Sequence, residues 1–147
     1  MSDSIYMMDA PPGHDFDAIG YAPMQQLYRE GQALLQMLAE PATVDYGLAL
    51  VAIHEHLLRQ CSAEEGWMRQ ADFPGYERHK REHDMLLEVV SEVRRRYDAG
   101  DNEIVERLAA ELPQWFEEHT QSMDAPLAQF LKERARPPVA EEEAELA

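Results

Sequence analysis

The stretch YERHKREHDMLLEVVSEVRRRY, residues 76–97, decides the fold. Leu86, Leu87, Val90 and Val93 recur at the spacing of one helical face. Successive side chains turn by about 100° around a helix, so His79 and His83 lie about 40° apart. Both fall on the face that carries Leu86 and Val90. Two imidazoles one turn apart therefore point where the leucines point, into an interior. Turn sequences bound the helix on both sides, Ala71-Asp72-Phe73-Pro74-Gly75 before it and Asp98-Ala99-Gly100-Asp101-Asn102 after it.

Working outward, three more amphipathic segments appear. Before the first turn, Leu50, Ile53, Leu57, Cys61 and Met68 share a face on a helix expected from about Thr43, as N-cap, to Gln70. Upstream of it, Met24, Leu27, Leu34, Leu35 and Leu38 mark a helix opened by Pro23 in its first turn and stopped by Pro41. After the second turn, Val105, Leu108, Leu112, Trp115, Leu127 and Phe130 mark a helix from about Glu103 to Glu133, with Pro113 as a potential kink. Four long helices with short connections predict an all-α, antiparallel up-down-up-down four-helix bundle over residues 23–133. Residues 1–22, with Gly13, Gly20 and Pro11-Pro12, read as an irregular N-terminal arm, and residues 134–147 as an acidic, disordered tail.

The 29 acidic residues against 13 basic ones argue against nucleic acid or an anionic membrane as partner, because both need basic surface. No apolar run approaches the ~20 residues of a membrane span. No basic segment followed by an apolar one opens the chain, so no secretory signal is expected. Cys61 is the only cysteine, which excludes an internal disulfide and suits a reducing compartment. The expected location is the cytoplasm.

The informative residues are polar ones on apolar faces. Glu64 is centred among Ile53, Leu57 and Met68, where an unpartnered carboxylate is very costly. Its neighbour Glu65 is expected to turn away toward water. His119 aligns with Leu108 and Leu112. Asp124, five residues on, would lie about 140° away on an ideal helix. It reaches the same side only through a π-bulge, for which Pro126 supplies a local break. Together, His79, His83, His119, Glu64 and Asp124 put five ligand-type residues from three helices toward one axis. A cation offsets the burial of such a cluster. Imidazole plus carboxylate without thiolate suits iron, zinc or manganese, and two carboxylates in a bundle interior favour a di-iron site.

The spacing resembles hemerythrin and its bacterial relatives. Glu64-Glu65-Gly66-Trp67-Met68 followed by Phe73-Pro74 is similar to the family's helix-B motif H-F-x-x-E-E-x-x-M, and His79 to His83 to the helix-C motif H-x-x-x-H. Trp115, His119 and Asp124 fit the helix-D pattern W-x-x-x-H-x-x-x-x-D, and Ile19 to Met24 resembles the lead-in to helix A. The resemblance covers about residues 19–132. It implies that His79, His83 and His119 hold one iron and that Glu64 and Asp124 bridge to a second.

At the second iron the sequence departs from the family. The positions of its histidines on helices A and B are Tyr28 and Gln60. Tyr28 is expected as a phenolate ligand, which favours ferric iron, or in direct contact with the ligands; the alternative is a buried aromatic whose hydroxyl is hydrogen-bonded. Gln60, Trp115 and His56 are expected beside the metal or a substrate; His56 precedes Gln60 by one turn, roughly 5–6 Å. The expected function is an altered, asymmetric site of two iron ions that binds or activates dioxygen or a related small molecule; Tyr28 and Gln60 count against a simple reversible carrier, and whether the site is that of a non-heme iron oxidoreductase stays open. The alternatives are a mononuclear iron or zinc enzyme or sensor on the three histidines, and a metal-poor helical interaction protein.

Overall fold

The computed structural model describes residues 16–40 and 45–135. The helices are α1 (Phe16–Ile19), α2 (Ala22–Leu38), α3 (Tyr46–Gln70), α4 (Tyr76–Asp98), α5 (Glu103–His119) and α6 (Ala125–Arg134), with a π-helical turn, Thr120–Asp124, joining the last two. No strand occurs among the described residues. α3 packs against both α2 and α4, α4 against α5, and α5 against α2, which closes the expected four-helix bundle.

Local chemistry explains most boundaries. Pro23 sits in the first turn of α2, where its missing N–H costs nothing. The cap of α3 is Asp45 rather than Thr43: its carboxylate accepts from the backbone N–H groups of Gly47 and Leu48 at 2.9 and 3.4 Å. Thr43 and the Pro41 stop lie outside the described residues, as do residues 1–15 of the arm and the acidic tail beyond residue 135. Pro113 lies within α5, which continues through it. Part of the stretch expected to be irregular forms α1, because Phe16 and Ile19 bury their side chains against α6.

Two apolar clusters fill the bundle. One holds Leu35, Leu38, Leu50, Ile53, Leu57, Val90, Leu108, Leu112 and Phe116. The other holds Phe16, Met24, Met68, Leu127, Ala128 and Leu131. Each fully buried Leu, Ile, Phe or Met contributes about 1.5–3 kcal/mol. Along α3 the first cluster ends at Leu57 and the second begins at Met68. Along the last helix they are separated between Phe116 and Ala125. The gap between them is a polar layer.

Candidate metal centre

Glu64 on α3, His79 and His83 on α4, and His119 and Asp124 at the two ends of the π turn occupy that layer, all five buried. One donor atom from each lies within 4.8 Å of every other. His79 Nε2 is 3.2 Å from Glu64 Oε1 and 3.0 Å from Asp124 Oδ1. His83 Nε2 is 3.1 Å from Glu64 Oε1, and His119 Nε2 is 3.2 Å from Asp124 Oδ1. The π turn is what makes this possible. Its extra residue per turn carries Asp124 back to the side of His119, so the expected bulge is present.

Outer ring nitrogens fix two of the three rings. His83 Nδ1 lies 2.9 Å from Glu65 Oε2, and His119 Nδ1 lies 3.0 Å from Glu82 Oε1. Each Nδ1–H donates to a carboxylate, which leaves the Nε2 lone pair aimed at the centre, the usual support for a metal-ligating histidine. Trp115 stacks on the His119 ring with centroids 4.8 Å apart and planes within 9°. Glu65 is thus not turned to water as expected. It lies one residue, or about 100°, beyond Glu64, which brings it to the seam with α4. Glu82 was not singled out by sequence; its one available signal is its place beside His83, toward α5.

Charge is the reason to expect an ion. Lone pairs and carboxylate oxygens at 3.0–3.2 Å repel unless a positive charge lies among them. Without metal, protons supply it. Burial alone would lower His79 and His119, but hydrogen bonds and charge from Asp124 and Glu64 overcome it, pushing His79 up to about 9 and His119 to about 10. Burial would raise Asp124, yet the His119 and His79 rings hold its carboxyl far below the usual range. The His119 hydrogen bond keeps Glu82 low as well. A metal ion replaces those protons directly. The adjacent contacts fit: donors about 2.1 Å from one ion stand about 3.0 Å apart when side by side, against 3.0–3.2 Å here.

Of the other expected residues, Tyr28 is directed to Glu117, and Gln60 and His56 line up behind Glu64. The Tyr28 hydroxyl donates to Glu117 Oε2 at 3.1 Å, and the ring stacks on Phe116. Burial, then Glu117, pushes its phenol up to about 12, which disfavours the phenolate that a ligand role needs. Gln60 and His56 are buried one turn apart on α3. His56 Nε2 is 3.1 Å from the Leu27 carbonyl and 3.0 Å from Gln60 Oε1. Gln60 Nε2 donates to Glu64 Oε2 at 3.3 Å. Gln60 therefore borders the site through Glu64, and His56 borders it through Gln60.

Comparison with known proteins points to one family. The family described as "Hemerythrin HHE cation binding domain" matches residues 22–131. A bacteriohemerythrin of Ralstonia nicotianae is 40% identical over 111 residues, covering 76% of this chain and 80% of that relative. No solved structure gives a significant match.

Proposed function

This chain belongs to the hemerythrin family, and we propose that it is a non-heme iron protein whose five-residue cluster presents iron to dioxygen or a similarly small molecule. The observation that carries the reading is the convergence of three imidazole Nε2 atoms and two carboxylate oxygens, all buried, with two of the rings anchored from behind by Glu65 and Glu82. Three nitrogens and two hard oxygens without a thiolate suit iron. Iron held there supplies a Lewis-acidic, redox-active centre.

The chain's own residues do the rest. Glu65 and Glu82 hold the His83 and His119 rings in the ligating tautomer. Glu64 and Asp124 carry the charge that balances a cation. The two apolar clusters above and below exclude bulk water and limit entry to small molecules. We propose residues 23–133 as the hemerythrin-like domain and the cytoplasm as its location. Among the described residues no helix is long and apolar enough to cross a membrane.

Metal content of protein purified without added metal tests the proposal. Iron is expected in the wild type, with a large loss in His83→Ala. The reduced protein should change its absorption spectrum on exposure to oxygen. A preparation without iron, or normal iron in His83→Ala, overturns the reading.

A further inference from the structure

Glu64 has two oxygens, and only Oε1 faces the imidazoles. To bridge a second ion, Oε2 must offer it a lone pair. Gln60 Nε2 stands 3.3 Å from that oxygen. The direction of this contact follows from its neighbours. The Leu27 carbonyl can only accept, so His56 Nε2 carries the proton at its 3.1 Å contact. The same N–H faces Gln60 Oε1 at 3.0 Å, so the Gln60 oxygen accepts and its NH2 group points at Glu64. A donor hydrogen and a metal ion compete for one lone pair.

The arrangement is built rather than incidental. Gly31 lies in the middle of α2, where glycine costs about 1 kcal/mol relative to alanine. A Cβ there would stand 3.1 Å from His56 Nε2 and 3.0 Å from Phe116 Cζ. The glycine makes room for the imidazole that orients Gln60. The other position from which a second ion would draw a ligand, Tyr28, has its hydroxyl on Glu117 instead.

We propose that this site takes a single metal ion, because a hydrogen-bond chain from the Leu27 carbonyl through His56 and Gln60 holds the outer oxygen of Glu64 where a second ion would need it. The proposal rests on the five-residue cluster being the iron site and departs from the pair of ions that the family resemblance implies. His79, His83, His119, Glu64 through Oε1, and Asp124 would then hold that ion with five donors and leave it able to take a small ligand.

The full-length protein is loaded anaerobically with excess ferrous iron, desalted, and analysed for iron per chain. It is then oxidised and examined by electron paramagnetic resonance. The expected result is one iron per chain, with a high-spin ferric signal that accounts for all of it. Two irons per chain, with the signal lost to magnetic coupling, overturns the single-ion proposal and leaves the iron assignment intact. No bound metal overturns both. Gln60→Glu exchanges the donor for a carboxylate of nearly the same shape, and under the same loading it should rise toward two irons. A count that stays at one in Gln60→Glu overturns the role given to the Gln60 N–H.

Discussion

Removing His56 should destabilise the fold through Gln60 rather than through its own lost volume. His56 is 1% exposed, and its Nε2–H is shared between Leu27 and Gln60 Oε1. In His56→Leu the Leu27 carbonyl keeps its place in the hydrogen-bond ladder of α2. Gln60 Oε1 does not: it becomes a buried acceptor without its donor, at a cost of about 1–3 kcal/mol. Leucine fills similar space, so the expected net loss is about 2 kcal/mol, or a Tm lower by roughly 4–8 °C for a chain of this size. Gln60→Leu alone should cost about as much, since Glu64 loses a donor to a charged oxygen. Adding His56→Leu to Gln60→Leu should then cost less than about 1 kcal/mol, because no acceptor is orphaned. Urea denaturation of metal-free protein, comparing midpoints at constant slope, reads these differences. Additive costs, or a His56→Leu within about 0.5 kcal/mol of wild type, would refute the hydrogen-bond chain.

Three further outcomes follow from the site. Glu82→Gln keeps the shape but weakens the anchor of His119, so metal affinity should fall about 10–100-fold, read by competition with a chelator; unchanged affinity would remove Glu82 from the site. In metal-free protein His79 and His119 titrate at about 9 and about 10, above their ordinary value. A raised pKa stabilises the fold fully below the unfolded value near 6.5 and loses that contribution as pH rises through 9 to 10. The Tm of chelated protein should therefore drop between pH 7 and pH 10 and drop less in His119→Gln, whereas iron binding, which displaces protons, should tighten over the same range. A flat profile in the chelated wild type contradicts the protonated cluster. Tyr28→Phe should leave iron content unchanged, and ferric wild type should lack a phenolate-to-iron absorption band; a band that disappears in Tyr28→Phe would make Tyr28 a ligand after all.

Helical phase was enough to find residues that point inward. His79 and His83 share the face of Leu86 and Val90, and Glu64 lies among Leu57, Ile53 and Met68, so a period near 100° per residue brings them to one layer. The five-residue step from His119 to Asp124 broke that period, and the break itself required the π turn that the structure contains. Phase was not enough for residues on the seams between helices. Glu65 and Glu82 each adjoin a residue of the cluster and so lie about 100° from the axis. Whether such a side chain meets water or a neighbouring ring depends on how close the next helix is, which a single helix does not encode.

Identity alone also says little about where a polar group is directed. A tyrosine in the place of a helix-A histidine reads as a replacement ligand until its hydroxyl is followed to Glu117, which is 89 residues away in sequence. Gln60 is still less legible, because an amide carries a donor and an acceptor on one carbon and its role depends on which faces Glu64. That choice is made by His56, whose proton is fixed in turn by a backbone carbonyl on another helix. Gly31 leaves the space in which the two meet. A chain of this kind can support a buried carboxylate without a second cation only if every link has the right polarity. Reversing the amide would set its oxygen against Glu64 Oε2 and its NH2 against the His56 N–H, two repulsive contacts in a buried layer where unpaired polar groups are most costly.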